Sequence, residues 1–363
     1  MPAIADHPLV SSRIGNLLRL FRRYGCDAAY LPRAVAVTLL CLARQPFMAY
    51  ENRRYRERIE KTPLRPDPVF LIGHWRSGTT HLQNILSRDP QFASVTVREA
   101  AMPHDFLTFG KLFARAVEKA IPEKRLMDNV AVDADAPWEE ELALVASSPL
   151  SFYHVSFFPR GMERVFREAI GFDGNTSRLV EEWRREYARF LKKVASVRPG
   201  KPFLLKNPAN TARIERLLEL FPEARFIHIR RDPCQVFRST VHLYLEAQKE
   251  WGFHRPTRDA IVEQVLATYP VLMRAYFDQR AAIPKGRLAE IRFEDLEKDP
   301  LPVIENAYAE AGLTGFNAAR PLFENYLHSI RDYRKNPHTL PETETRRVRE
   351  CWAEWFHRLD YRT

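Results

Sequence analysis

Paired cysteines are the first feature that this sequence lacks. Its four cysteines are scattered, with no CxxC pair and no cysteine–histidine spacing typical of a zinc ligand set; they are Cys26, Cys41, Cys234 and Cys351. A disulfide framework and a zinc site both require such pairs. We therefore predict neither of them, expect no bound metal, and expect a reducing compartment.

A long hydrophobic run is also missing. The longest apolar run, residues 34–43, is far shorter than the roughly 20 residues that a membrane-spanning helix requires. Arginines interrupt the first apolar segment, among them Arg13 and Arg19, which is not typical of a secretory signal. We expect a cytoplasmic protein whose only membrane contact is peripheral, through basic amphipathic N-terminal helices.

What the sequence does have is excess positive charge. Among 363 residues, 56 are Lys or Arg and 46 are Asp or Glu, which gives a formal net charge of +10. Such a balance favours an anionic partner, which includes nucleotides, nucleic acids and acidic membranes. The sequence contains no RGG tract, zinc finger or RNP-like aromatic motif, so we expect no nucleic-acid partner.

The chain divides at a proline-rich lead. Apolar residues at helical spacing predict helices over 9–25 and 31–60, and three prolines between 63 and 68 then precede a strand. We predict an N-terminal helical extension over 1–66 that packs on the core, followed by one domain over 67–363.

Strands and helices alternate in the second region. Apolar runs at 69–72 and 203–205, and stretches rich in apolar residues at 225–229 and 288–293, predict strands. Helical patterns follow the first three at 79–87, 212–221 and from about 235. This alternation predicts an α/β fold with a central parallel sheet flanked by helices.

The stretch VFLIGHWRSGTTHL predicts an anion site between a strand and a helix. Gly73 and Gly78 keep the G-x-x-x-x-G spacing of a phosphate-binding loop, whose backbone N–H groups converge at a helix N-terminus. The Walker lysine is missing, and a cation stands inside the loop instead, at Arg76. Strand 225–229 is followed by Arg230 and Arg231 rather than by a lone metal-binding carboxylate. Sulfuryl transfer without a metal fits this site better than phosphoryl transfer.

At these residues the sequence resembles a known family. GHWRSGTTHL resembles the 5′-phosphosulfate loop of sulfotransferases that use 3′-phosphoadenosine-5′-phosphosulfate (PAPS), in the bacterial branch with an RSGTT loop that is related to tyrosylprotein sulfotransferases. HIRRDPCQVFRST resembles the element of those enzymes that binds the 3′-phosphate, with Arg231 and Ser239 at the same spacing. The resemblance covers about residues 67–360 and also includes KNPANTARIERLLELFPEARF and IRFEDLEKDP. It implies a three-layer, P-loop-like fold, PAPS as co-substrate and a hydroxyl or amine acceptor.

The resemblance also implies residue roles. It assigns the 5′-phosphate and the transferred group to one loop and the 3′-phosphate to the other, with a catalytic lysine on a neighbouring strand. The residues are Arg76, Ser77, Gly78, Thr79 and Thr80 on the 5′ side, Arg231 and Ser239 on the 3′ side, and Arg334 and Lys335 of RDYRKNPH as further 3′-phosphate ligands. Arg76 is also implied as the catalytic cation of the loop, with Lys206 as an aid to catalysis.

The general base is a separate question. Cytosolic members place a histidine two residues after the lysine, but Pro208 stands at that position here. Tyrosylprotein members use a glutamate beyond the first helix, and Glu99 lies at about the corresponding place. We predict Glu99 as the base, with His104 and His81 as alternatives.

Other functions and acceptors stay open at this point. A P-loop kinase or nucleotide triphosphatase is one alternative, and a non-catalytic nucleotide-binding protein is another. The basic, amphipathic N-terminal region favours a lipid-like or small-molecule alcohol as acceptor, while a carbohydrate or a peptide tyrosine is not excluded. The sequence does not indicate an oligomeric state.

Overall fold

The computed structural model of the chain describes residues 4–110, 133–331 and 342–362. Helices dominate the described residues. They are α1 (Ile14–Tyr24), α2 (Leu31–Lys61), α3 (Thr79–Leu86), α4 (Val97–Ala101), α5 (Phe106–Phe109), α6 (Glu141–Ser147), α7 (His154–Phe157), α8 (Met162–Val165), α9 (Ser177–Ala195), α10 (Ile214–Leu220), α11 (Pro233–Trp251), α12 (Arg258–Gln279), α13 (Phe293–Lys298), α14 (Pro300–Glu310), α15 (Phe316–Ser329), α16 (Glu342–Cys351) and α17 (Ala353–Arg358), with a π-helical turn at Phe166–Ile170 and several short 3₁₀ turns.

Four parallel strands form the sheet. They are β1 (Val69–Ile72), β2 (Leu204–Lys206), β3 (Arg225–Arg230) and β4 (Leu288–Arg292), arranged in the order β2-β1-β3-β4. β1 is buried along its whole length, as expected for the apolar run VFLI in a sheet that is covered on both faces. The α/β class and the parallel sheet flanked by helices are confirmed, and each predicted strand lies within one residue of its observed bounds.

The chain divides into two compact units. Unit 1 contains residues 1–64, 95–200 and 243–261, and unit 2 contains residues 65–94, 201–242 and 262–363. The predicted boundary at residue 66 falls beside the end of the first segment of unit 1. The further prediction that 67–363 is one domain stays a prediction, as does the packing of the extension on that domain.

Unit 2 holds the sheet and its apolar core. Leu71 of β1, Ile227 and Ile229 of β3 and Ile291 of β4 pack with apolar side chains of α3, α14 and α15. Burial of such side chains stabilises a core by about 1.5–3 kcal/mol each. This core fixes the carboxyl ends of the strands, where ligands bind in open α/β sheets.

Unit 1 is helical. α2 is a single helix of 31 residues, although Pro46 stands inside it. Its inward side packs with α1 around Leu17, Val37 and Cys41, and the aromatic residues Phe157 and Phe158 of the segment SFYHVSFFP complete this core. The aromatic segment is therefore core of this unit.

Candidate active site

Only glycine fits at the first position of the phosphate-binding loop. Gly73 follows β1 with φ of 142°, and a Cβ atom there would lie 2.3 Å from the carbonyl oxygen of Ile229 in β3. The Gly73 N–H donates to Thr211 Oγ1 at 2.8 Å, and the Thr211 hydroxyl lies 3.1 Å from the Gly73 carbonyl oxygen. The chain can therefore turn away from the sheet at Gly73 and is held there by a buried threonine.

The loop ends at a helix N-terminus without a side-chain cap. Gly78, with φ of 101°, is the N-cap residue of α3, and a Cβ atom on it would lie 2.2 Å from the Phe293 ring. The first N–H groups of α3 have no intrahelical partner, as in every helix. The Ser77 hydroxyl beside them is buried and has no hydrogen-bond partner among the described residues. These donors fit a phosphate at the end of α3.

Arg76 lies inside this loop in a left-handed conformation, with φ of 70°. Its Nε donates to Ser239 Oγ at 2.7 Å. Since Ser239 belongs to α11, this hydrogen bond joins the two loops that the sequence analysis assigned to opposite ends of one nucleotide.

Arg231 strengthens the link between the two loops. Its Nη1 donates to the carbonyl oxygen of Arg76 at 3.0 Å, and its guanidinium lies 4.4 Å from the centre of the Phe293 ring. Burial lowers the pKa of Arg231, and the nearby Arg76 lowers it further. Two cations that disfavour each other's charge in this way form a site that favours an anion.

Lys206 completes the cationic side of unit 2. It is buried at the end of β2, and its Nζ donates to Thr80 Oγ1 at 3.3 Å. This contact brings the lysine to the first turn of α3. Within unit 2 the structure thus brings together Arg76 to Thr80, Lys206, Arg231 and Ser239.

Two buried histidines lie behind the loop. His74 and His228 line a small cavity together with Ser77 and Arg231. Burial lowers the pKa of each histidine to about 4, so both rings are neutral at pH 7. They add polar surface to this region without adding charge.

Glu99 lies in unit 1 and has structural partners. Its carboxylate accepts from the Thr96 N–H at 2.9 Å, as part of a capping box at the start of α4, and forms an ion pair with Arg198 at 2.8 Å. Both contacts stabilise the fold around Glu99. The role of Glu99 as the base stays a prediction.

Two other titratable groups of unit 1 have pKa values that burial shifts. Burial lowers the pKa of His104 well below its usual value, and its Nε2 lies 3.4 Å from the Ala146 carbonyl oxygen. Burial raises the pKa of Glu140, which accepts from the Tyr187 hydroxyl at 3.0 Å, to about 7. His81, the other alternative base, is half-buried on α3 of unit 2.

Some predictions concern residues or features that the structure does not place. Arg334 and Lys335 lie outside the described residues. In the described ranges, no group of histidine, cysteine or acidic residues is arranged to hold a metal ion. Within the same ranges, every helix is too short or too polar to cross a bilayer.

Thr211 and Phe293 are the contributors that the sequence analysis missed. Thr211 holds Gly73, and Phe293 contacts both Gly78 and Arg231. Thr211 follows the KNP segment by a few residues and Phe293 follows β4 as the first residue of α13. Neither residue type signals phosphate chemistry. Only the fold shows that they support the loop.

The chain is similar in sequence to several sulfotransferases. A model described as "Sulfotransferase family" matches residues 68–317. The chain is 33% identical to omega-hydroxy-beta-dihydromenaquinone-9 sulfotransferase Stf3 of Mycobacterium tuberculosis, over 90% of this chain and 84% of that protein. It is 25% identical to human carbohydrate sulfotransferase 6, over 92% of this chain and 91% of that protein.

A solved structure shows the same fold. Sulfotransferase STF9 from Mycobacterium avium matches with a TM-score of 0.71 at 18% identity, over 97% of each chain. The three-layer, P-loop-like fold that the resemblance implied is thereby confirmed. The family match also argues against the kinase alternative, since it covers both loops that the sequence analysis assigned to the nucleotide. From these matches and the two joined loops it follows that the chain belongs to the sulfotransferase family and is a PAPS-dependent sulfotransferase.

Proposed function

We propose that this enzyme transfers the sulfuryl group of PAPS to the hydroxyl of a lipid-like alcohol of the isoprenoid quinone class. The observation that supports this acceptor is the 33% identity to a sulfotransferase named for a hydroxylated dihydromenaquinone, over 90% of the chain. A similarity of this extent includes the segments of both units.

The loop after β1 binds the reacting end of the donor in this proposal. Transfer forms a bond between the acceptor oxygen and sulfur, breaks the bond between sulfur and the 5′-phosphate oxygen, and releases one proton. Backbone N–H groups of Gly78, Thr79 and Thr80, with the Ser77 hydroxyl, bind the 5′-phosphate. Arg76 and Lys206 stabilise the negative charge that develops on the leaving oxygen.

The second loop binds the other end of the donor. Arg231 supplies a charge-assisted contact to the 3′-phosphate, and Ser239 supplies a hydroxyl donor. The Arg76–Ser239 hydrogen bond at 2.7 Å supports this assignment because it joins residues from both loops. Arg334 and Lys335 remain proposed ligands of the same phosphate.

Glu99 takes the proton of the acceptor hydroxyl in this proposal. The ion pair with Arg198 at 2.8 Å positions its carboxylate. His104 is the alternative base, but burial lowers the pKa of its ring and so weakens it as a proton acceptor.

The proposed acceptor also bears on location. A hydroxylated isoprenoid quinone partitions into a bilayer, so the proposal includes a cytoplasmic enzyme that contacts the membrane at its surface.

The test has a binding arm and a turnover arm. Adenosine 3′,5′-bisphosphate is expected to raise the melting temperature of the protein, and ATP with magnesium is expected to raise it less. Sulfur-labelled PAPS is then supplied with a hydroxylated polyprenyl quinol in detergent micelles, with a soluble phenol, and with a carbohydrate acceptor. Labelled quinol as the main product supports the proposal. A main product from the carbohydrate would favour the second candidate, which rests on the 25% identity to a carbohydrate sulfotransferase.

A further inference from the structure

The outward face of α2 is apolar where a surface helix is normally polar. Leu31, Val35, Leu39 and Leu42 are each between 46% and 60% exposed. They follow one another at intervals of four, four and three residues, which places them on one face of the helix. The stripe is about 17 Å long at 1.5 Å per residue.

The charged residues of the same part of α2 are directed inward. Arg33 donates to the Gly252 carbonyl oxygen at 2.8 Å, and Arg44 binds the carboxylate of Asp105 at 2.6 Å. The inward face also buries Ala34, Val37 and Cys41 in the core of unit 1. This half of the helix therefore places cations against the protein and aliphatic side chains against solvent, which is the reverse of ordinary surface patterning.

The exposed face changes character after Tyr50. Residues 52–61 carry five cations and two carboxylates, and Arg53, Arg54, Arg56 and Arg58 are all exposed. Glu57 and Glu60 form ion pairs with Lys61 and Arg56 one turn away. The end of α2 thus keeps an excess of positive charge beside the apolar stripe.

These observations suit one kind of partner. An anionic bilayer offers an apolar layer for aliphatic side chains and, at its surface, phosphate groups for arginines. Tyrosine is favoured at the boundary between the two layers, and Tyr50 lies at the corresponding point of the helix. We infer that the outward face of α2 docks on the surface of an anionic membrane.

The role of membrane docking in the reaction rests on the proposed lipid acceptor, whereas the docking surface itself is inferred from α2 alone. Docking would bring a membrane-bound alcohol to the enzyme without a spanning segment. A soluble or micellar substrate would not require it.

Two test variants, each with a matched control, distinguish binding through α2 from a general effect of surface hydrophobicity or charge. V35D/L39D places two carboxylates in the stripe, and V271D/L322D makes the matched change at two other exposed apolar residues, on α12 and α15. R53Q/R54Q removes two cations from the end of α2, with R274Q/K285Q as its control at exposed positions of unit 2. Binding of adenosine 3′,5′-bisphosphate and the melting temperature are measured for every variant to verify folding.

Vesicle flotation gives the readout. The unmodified protein is expected to float with vesicles of equal parts phosphatidylglycerol and phosphatidylcholine, and much less with phosphatidylcholine alone. V35D/L39D and R53Q/R54Q are each expected to lower the bound fraction at least about tenfold. Both control variants are expected to bind as the unmodified protein does.

Four results would overturn the inference. The first three are that the unmodified protein binds neither kind of vesicle, that V35D/L39D binds as tightly as the unmodified protein, and that V35D/L39D and its control lose binding equally. The fourth is a dimer in solution that V35D/L39D dissociates, which would identify a second copy as the partner. Sulfation of the micellar quinol is measured in parallel. If vesicle binding is lost while micellar turnover persists, only docking has been removed. If the quinol is not sulfated although vesicles are bound, the proposed acceptor fails and the docking surface stands.

Discussion

Replacing Arg231 with glutamine tests whether this residue binds the nucleotide or only stabilises the fold. In the free protein Arg231 contributes a hydrogen bond to the Arg76 carbonyl oxygen at 3.0 Å and a contact with the Phe293 ring at 4.4 Å. The first is worth about 1 kcal/mol and the second about 0.5–2 kcal/mol. Against these stands the cost of a half-buried cation beside Arg76, which the lowered pKa of Arg231 reflects. We expect the two effects to offset each other to within about 1 kcal/mol in the free energy of unfolding.

The bound state has no such balance. A buried charge pair with the 3′-phosphate is worth about 2–5 kcal/mol when one partner is removed. Arg231→Gln should therefore weaken the binding of adenosine 3′,5′-bisphosphate about 30-fold to 4,000-fold, since 1.4 kcal/mol is tenfold. Isothermal titration calorimetry gives the dissociation constant, and chemical denaturation gives the stability of the free protein.

The neighbouring arginine provides the control. Arg230 contacts the exposed carboxylate of Asp360 at 3.3 Å, an interaction that contributes about 0–1 kcal/mol in solvent. Arg230→Gln should change the dissociation constant less than about threefold. If Arg231→Gln binds the bisphosphate normally, or if both variants lose affinity equally, the assignment of Arg231 to the 3′-phosphate is wrong.

Three further predictions test the base, the loop and the buried histidines. Glu99→Gln should lower turnover roughly 10²–10⁴-fold. Arg198→Gln breaks the same ion pair but keeps the carboxylate, so it should lower the melting temperature similarly and turnover less than about tenfold. Equal losses of turnover in the two variants would make Glu99 a structural residue. Gly78→Ala should lower the free energy of unfolding by at least about 2 kcal/mol, because it adds a clash with the Phe293 ring to the strain of a left-handed backbone, and it should abolish nucleotide binding. Gly286 is the control, since its φ is 77° but the space around it is open. Gly286→Ala should lower the free energy of unfolding by about 1 kcal/mol and leave nucleotide binding intact. The folded-state pKa of His228, about 4, lies below the ordinary 6.5, so the unfolded chain binds the extra proton and the free energy of unfolding should fall as the pH drops from 6.5 to 4. His228→Phe keeps the stacking on Tyr276 and should reduce the slope of unfolding free energy against pH by up to one proton. An unchanged slope would count against a neutral buried ring.

The sequence predicted the sheet and both loops because each carries a local signature. Short apolar runs bounded by loops are typical of buried parallel strands, as in VFLI and FLL. The Gly73–Gly78 spacing and the Arg231–Ser239 spacing are also local. The hydrogen bond between Arg76 and Ser239 then follows from β1 and β3 being neighbours in the sheet.

Long-range packing explains what the sequence did not predict. Residues 95–200 belong to the same unit as residues 1–64, and no local pattern marks a unit assembled from separate segments. The partners of Glu99 were equally hidden, since Arg198 lies far along the chain. The outward apolar stripe of α2 became visible only once the fold showed that Val37 and Cys41, rather than Leu39 and Leu42, face the core.

A crystal structure with adenosine 3′,5′-bisphosphate tests the central claim most directly, namely that two loops of unit 2 bind opposite ends of one nucleotide. We expect the 5′-phosphate within hydrogen-bond distance of the Gly78–Thr80 N–H groups and the 3′-phosphate within that distance of Arg231 and Ser239. A nucleotide bound to only one of these loops, or elsewhere on the protein, would contradict the claim.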